Sequence, residues 1–306
     1  MVQTSAPSSA TGAQATLRRG LRAAQGPAFI FLYLPFLLLF GILPMLYAIK
    51  LAFTSDAGKF VGLRNFIHTA KDFRFVSAFE HILVYTFVWL LALLVFVVAL
   101  ALLLHGRANK VSSTFRFLFY LPGALAGAAS VLVWLFMLDP SVSPGAFVLH
   151  LFNIHQFVEA IAPGKLAFIF AMVAFWTGAG GWIVVMYGAL NTIPQELEEA
   201  ASMDGAGPVR IALQLKLPMI SKWVAYMVIL SFATGTQLFV EPQLVGQASL
   251  GMVPDTWSSN QLAYQLAFRY GDFNGAAAIS VDLLLIGVLA AVLVVTRTGL
   301  FKTGDK

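Results

Sequence analysis

Ser231, Thr234, Gln237 and Glu241 are spaced by three, three and four inside an otherwise apolar stretch and bring together two hydroxyls, an amide and a carboxylate. On a continuous helix of 3.6 residues per turn this spacing puts all four on one face. Such groups donate and accept hydrogen bonds in pairs, which suits the hydroxyls of a sugar or glycerol derivative. The same stripe can instead bond neighbouring helices together, and both readings obey the rule that polar groups in lipid line a path or find partners. A second constellation is Trp176, Thr177, Gly178, Gly180 and Gly181. Glycines let backbone approach a ligand, and an indole offers an apolar face for a sugar ring plus one donor. Its alternative is close helix packing through small residues, with Trp176 as filler.

Between these two stretches lies a polar island, residues 192–221, reading TIPQELEEAASMDGAGPVRIALQLKLPMIS. Asn191 or Thr192 is placed to cap a helix, Pro194 suits a first turn, and Glu196, Glu198 and Glu199 put negative charge at the positive end of the helix dipole. Ala200 and Ala201 extend the helix with minimal bulk. Gly205, Gly207 and Pro208 then break it, and Val209 to Leu217 resume it before Pro218 leads into the next apolar segment.

The elements that position these groups follow from composition. The 306 residues are 59% hydrophobic and 11% charged, too little polar surface for a soluble protein of this size. Runs free of Asp, Glu, Lys and Arg cover 23–49, 81–106, 117–138, 166–195 and 223–240, each near the roughly 20 residues that cross hydrocarbon. A sixth run, 276–296, is interrupted by Asp282, which is expected to cap or to pair across a dimer interface. The expectation is therefore an all-α membrane protein of six transmembrane helices. Its parts are a flexible tail over 1–26, a transmembrane domain over 27–298 and a short tail over 299–306. Residues 140–158 are uncharged but rich in Pro, Gly, His and Asn, which suggests a re-entrant or interfacial piece.

With the amino end cytoplasmic, twelve of the 19 Lys and Arg residues fall inside and seven outside, so both termini are expected in the cytoplasm. The net charge of +5 reads as topology and contact with anionic lipid, and no aromatic-interleaved basic patch suggests nucleic acid. Cysteine is absent. His150 and His155 are five apart, a poor spacing for two imidazoles on one helix, and no metal site is expected. His81 and His105 are read as headgroup neighbours, and Trp134, Trp223 and Trp257 as interfacial anchors.

The island resembles the cytoplasmic coupling loop of ABC importer permeases. The family pattern is Glu-Ala-Ala, three residues, Gly, nine residues, Ile, one residue, Leu-Pro. It stands here as Glu199, Ala200, Ala201, Gly205, Leu215, Leu217 and Pro218, with Leu215 replacing isoleucine. Val61 to Phe66, Phe115 to Phe117 with Leu121, Pro122 and Trp134, and Gly271 to Ala278 resemble further elements of the carbohydrate-uptake branch, so the likeness runs from about residue 28 to 298. Glu241 to Gly246 departs from that branch, which often has Thr-Gly-Gly-Gly-Pro there.

The resemblance implies a type I importer permease of a bacterial cytoplasmic membrane, taking up a sugar, polyol or glycerol-phosphate-like solute delivered by an extracytoplasmic binding protein. It implies a second permease half and two ATP-binding subunits that carry ATP and Mg, since no Gly-x-x-x-x-Gly-Lys-Ser/Thr loop occurs in this chain. Glu198, Glu199, Ala200, Ala201, Asp204, Gly205, Leu217 and Pro218 would couple to the ATPase, with Glu199 in its cleft and Gly205 fixing the bend. Trp176, Thr177, Gly178 and Gly181, with the stripe from Ser231 to Glu241, would line the solute path. The rivals are a polytopic membrane transferase, for which Glu198, Glu199 and Asp204 form the acidic cluster without a close base, and a passive channel.

Overall fold

The computed structural model describes residues 31, 33–105, 110–125 and 127–298. The expected tails over 1–26 and 299–306 lie outside the described residues. Four helices are long and apolar enough to cross a membrane: α1 (Tyr33–Ala52), α3 (Phe73–His105), α8 (Pro163–Leu190) and α14 (Phe273–Thr298). Short α2 (Arg64–Ala70) precedes α3.

Two further apolar segments pass the same test only as bent pairs. Helices α4 (Ser112–Ala124) and α5 (Gly127–Leu138) meet at 102°, and α10 (Pro208–Met219) and α11 (Ser221–Gly235) meet at 66°. Proline and glycine explain the first break, because Leu121–Ala124, containing Pro122 and Gly123, tightens into a 3-10 turn. The architecture is thus an all-α polytopic membrane fold with four clear spans, and six when each bent pair counts as one.

Between the spans lie α6 (Ala146–Leu151), α7 (Phe157–Ala160), α9 (Gln195–Met203), α12 (Val240–Ala248) and α13 (Ser259–Phe268). The 140–158 segment forms turns and two short helices that leave Phe147, Leu151 and Phe152 largely exposed.

Helix α8 is the centre of the bundle. Thirteen of its residues are buried, and α3, α4 and the Leu121–Ala124 turn pack on it. Close approach depends on missing side chains. A Cβ at Gly180 would strike the Phe119 carbonyl and the Tyr120 backbone, and one at Gly123 would lie 2.8 Å from the Thr177 carbonyl oxygen. At Gly180 the small-residue packing reading is the one the geometry supports.

Two asparagines close the end of α1. Asn65 Nδ2 donates to the carbonyls of Ala52 (2.9 Å) and Thr54 (2.8 Å), and Asn274 Nδ2 donates to those of Leu51 (3.2 Å) and Thr54. These carbonyls have lost their helical partners, so α2 and α14 supply donors that the helix cannot. Gly62, with φ 59°, turns the chain into α2. Asp72 caps α3 through the Arg74 amide at 2.9 Å and accepts the Arg74 guanidinium at 2.7 Å. That side-chain bond to Arg74 holds the Asp72 carboxyl below its ordinary range.

Several boundary assignments change in the folded chain. Trp257 is 2% exposed, with its ring stacked on His81 at 4.8 Å and edge-on to Phe170. It belongs to the core and is no interfacial anchor. His81 Nδ1 lies 3.0 Å from the Trp257 carbonyl, so this histidine belongs to the same joint and not to the headgroups. His150 and His155 come within 5.1 Å, because Asn153 adopts φ 56° and folds the chain back after α6. No group of three or more His, Asp or Glu is arranged for a metal among the described residues.

Candidate functional site

The polar stripe does not lie on one continuous helix. Helix α11 ends at Gly235, and Glu241 belongs to the next helix, α12. Gly235 is held against Trp89 and Thr86, where a Cβ would come within 3.0–3.2 Å of their side chains, and the chain turns there. The turn nevertheless directs Ser231, Thr234, Gln237 and Glu241 into one cavity of about 490 Å³.

Thr177 and Gly178 of α8 form the facing wall, so the two constellations read from the sequence share one space. Trp176 and Gly181 are not among its lining residues. Trp176 packs edge-on to Trp134 at 5.9 Å, which makes filler the reading its contacts support. Trp134 correspondingly joins an apolar cluster with Leu138, Ala160 and Ile169, while Trp223 is 46% exposed.

Three aromatic residues of the wall were not singled out from the sequence: Tyr85, Trp89 and Trp182. Tyr85 and Trp89 stack at 6.0 Å, one helical turn apart on α3. Their polar neighbours differ in how they are satisfied. Thr177 Oγ1 donates to the Val173 and Ala174 carbonyls, and Thr234 Oγ1 to those of Leu230 and Ser231, so both bond their own helices. Ser231 Oγ and Trp89 Nε1 are buried with no hydrogen-bond partner among the described residues. Buried polar atoms are ordinarily paired, so these two groups beside the cavity stand out as unsatisfied. No Lys, Arg or His lines this cavity, and Glu241 is its one ionisable carboxylate among the described residues.

Gln237 also borders a second cavity of about 490 Å³, with Thr236, Asn260 and Ser280 on its wall. Asp282 is placed elsewhere. It lines an apolar groove of about 840 Å³ together with Glu80, and it makes no hydrogen bond or ion pair within the described residues.

The polar island folds as a helix, a turn and a second helix. Pro194, not Asn191 or Thr192, precedes α9, and Thr192 Oγ1 bonds back to the Ala189 carbonyl at 2.8 Å. Glu196 and Glu198 stand in the first turn of α9, with Glu199, Ala200 and Ala201 following. Gly205 takes φ 79°, the left-handed value that ends the helix. Helix α10 then runs through a π turn over Ala212–Lys216 to Leu217 and Pro218. No residue of α9 is buried, and Met203 and Val209 are 89% and 71% exposed. Asp204 is exposed at the turn.

Sequence comparison decides the family. Residues 107–298 match the family model of the binding-protein-dependent transport system inner membrane component. The chain belongs to that family. This permease is 28% identical over 285 residues to the sn-glycerol-3-phosphate transport system permease protein UgpA of Yersinia pestis, covering 85% of this chain and 92% of that protein. It is 31% identical over 247 residues to the maltose/maltodextrin transport system permease protein MalF of Salmonella typhimurium, covering 76% of the permease and 48% of its relative. A chain of the bacterial alginate ABC transporter, solved with an alginate pentasaccharide-bound periplasmic protein, superposes with a TM-score of 0.74 over 94% of the permease and 98% of that chain at 18% identity. That likeness concerns the fold. The permease is accordingly the membrane component of an ABC-type importer, a class that pairs with separate ATPase subunits.

Proposed function

We propose that the permease forms one half of the membrane path for a sugar or sugar-like solute, with a second permease half, two ATP-binding subunits and an extracytoplasmic binding protein. ATP and Mg belong to the ATP-binding subunits. With α11 as the fifth crossing and the α4–α5 pair as the third, six crossings would put both termini and the 192–221 loop on one side, and the Lys and Arg bias supports the cytoplasmic side.

The observation that carries this reading is the exposed helix-turn-helix. An acidic helix with no buried residue stands beside exposed Met203 and Val209, the kind of mixed surface that a protein partner covers. Glu198, Glu199, Ala200, Ala201 and Asp204 would meet the ATPase, Gly205 would hold the bend, and Leu217 and Pro218 would connect the lever to α11. Closure of the ATPase pair would move this lever and rock the two permease halves between outward and inward states.

Solute would pass beside Thr177, Gly178, Ser231, Thr234, Gln237 and Glu241. Tyr85, Trp89 and Trp182 supply aromatic faces for a sugar ring, and the hydroxyl, amide and carboxylate groups match its hydroxyls. With Glu241 present and no cation on this wall, neutral solutes fit better than the phosphate ester named for the Yersinia relative. Trp176, packed on Trp134, would support the wall from behind, and Gly181, with open space beside its Cα, would leave room along the path.

The test is purification of the permease from its native membrane followed by uptake in vesicles. Copurification of a nucleotide-binding subunit and ATP-dependent uptake of a sugar captured by the binding protein are expected. A permease that purifies without an ATPase and passes solute down a gradient would refute the proposal.

A further inference from the structure

Helix α9 has little of its own to fasten it to the bundle. Its side-chain hydrogen bonds stay inside it: Gln195 Nε2 donates to Glu199 Oε1, and Ser202 Oγ donates to the Glu198 carbonyl. Among the described residues one side-chain polar contact leaves the helix, from Glu198 Oε2 to Lys216 Nζ at 2.7 Å.

Lys216 is unusual in its setting. It is 6% exposed and ends the π turn of α10, a distortion common at functional positions. Its ammonium donates to His105 Nδ1 at 3.1 Å, on the last residue of α3. This contact replaces the headgroup role expected for His105. The His105 ring lies edge-on to Tyr187 of α8 at 5.6 Å, and the Arg116 guanidinium of α4 sits 3.7 Å over the same Tyr187 ring. One ammonium therefore joins the exposed helix to the end of α3 and, through the His105 ring, to Tyr187 of α8.

A buried ion pair is a weak source of net stability, and an apolar side chain of similar volume often serves folding as well. It is a directional tie, however, and an apolar replacement is not. We propose that Lys216 is a positioning residue, which locks α9 to the ends of α3 and α8 so that displacement of the acidic helix moves those spans as one body. This inference rests on the coupling role proposed above for the 192–221 loop.

The absence of cysteine permits a direct test. Spin labels on cysteines introduced at Glu196 and Leu103 report the distance between α9 and the end of α3, in the permease assembled with its partner subunits, with and without ATP and vanadate. With Lys216 present, one narrow distance is expected in both conditions. Lys216→Met should broaden the distribution at least about twofold and make it respond to nucleotide, while Lys216→Arg should restore the narrow form. Equal widths in the parent and Lys216→Met would overturn the inference. Should Lys216→Met fail to fold, Glu198→Gln decides, because the amide keeps the shape of the side chain and its bulk while removing the charge that ties it to Lys216: an unchanged width would overturn the proposal and a broadened one would support it. The distance is readable without nucleotide, so a permease that binds no ATPase would refute the coupling role while the tie itself remained measurable.

Discussion

Ser231→Ala separates a solute-binding wall from a merely structural one, because the two roles move stability in opposite directions. Ser231 is 1% exposed, and its hydroxyl has no hydrogen-bond partner among the described residues. Burying an unsatisfied hydroxyl costs about 1–3 kcal/mol, so its removal should stabilise the empty permease by up to that amount. At roughly 2–4 °C per kcal/mol for chains of somewhat smaller size, the apparent melting temperature in detergent should rise by a few degrees. Uptake should fall instead, by about two- to tenfold, if the hydroxyl makes one ordinary hydrogen bond of about 0.5–1.5 kcal/mol to the solute. Thr234→Ala is the internal control, since that hydroxyl already bonds its own helix and should change melting little. Melting is followed by the loss of monodisperse protein on heating, and uptake with the solute that the binding protein captures. A lower melting temperature with transport intact would refute the reasoning and identify the serine as a bond between helices.

Two other outcomes follow from packing. Gly180→Val should block close seating of the Leu121–Ala124 turn on α8 and cost at least about 1–3 kcal/mol, since the obstacle is backbone and not a flexible side chain; a variant that melts like the parent would contradict that contact. Asn65→Ala should leave carbonyls at the end of α1 short of donors at a cost of about 1–3 kcal/mol, and pairing it with Asn274→Ala should give a non-additive loss in a double-mutant cycle, because both asparagines share Thr54.

The sequence and the folded chain agree where local chemistry decides. Four of the apolar runs become clear spans and the other two bend, and Glu-rich α9 ends at Gly205 because that glycine alone in the island takes a positive φ. The stripe was legible as a set of residues but not as a helix, since α11 ends at Gly235, which packs against Trp89 and Thr86, residues far away in sequence. Tyr85 and Trp89 were invisible as site residues because α3 from Ile82 to Leu104 is apolar apart from Tyr85, Thr86 and Trp89, and aromatic side chains add little polar signal to it. Their i, i+4 spacing next to Thr86 was the available clue. His81 and Trp257 looked like boundary residues because linear position cannot reveal that the Trp257 loop folds over the start of α3. His105 and Lys216 likewise meet across 111 residues of chain, a distance at which residue type gives no warning.

The most direct measurement of the central claim uses a single cysteine at Ala201 in this cysteine-free chain. The coupling account predicts protection from a membrane-impermeant maleimide added outside intact cells and a crosslink to the ATP-binding subunit whose yield changes with ATP. Labelling from outside, or no crosslink in an assembly that still transports, would contradict it.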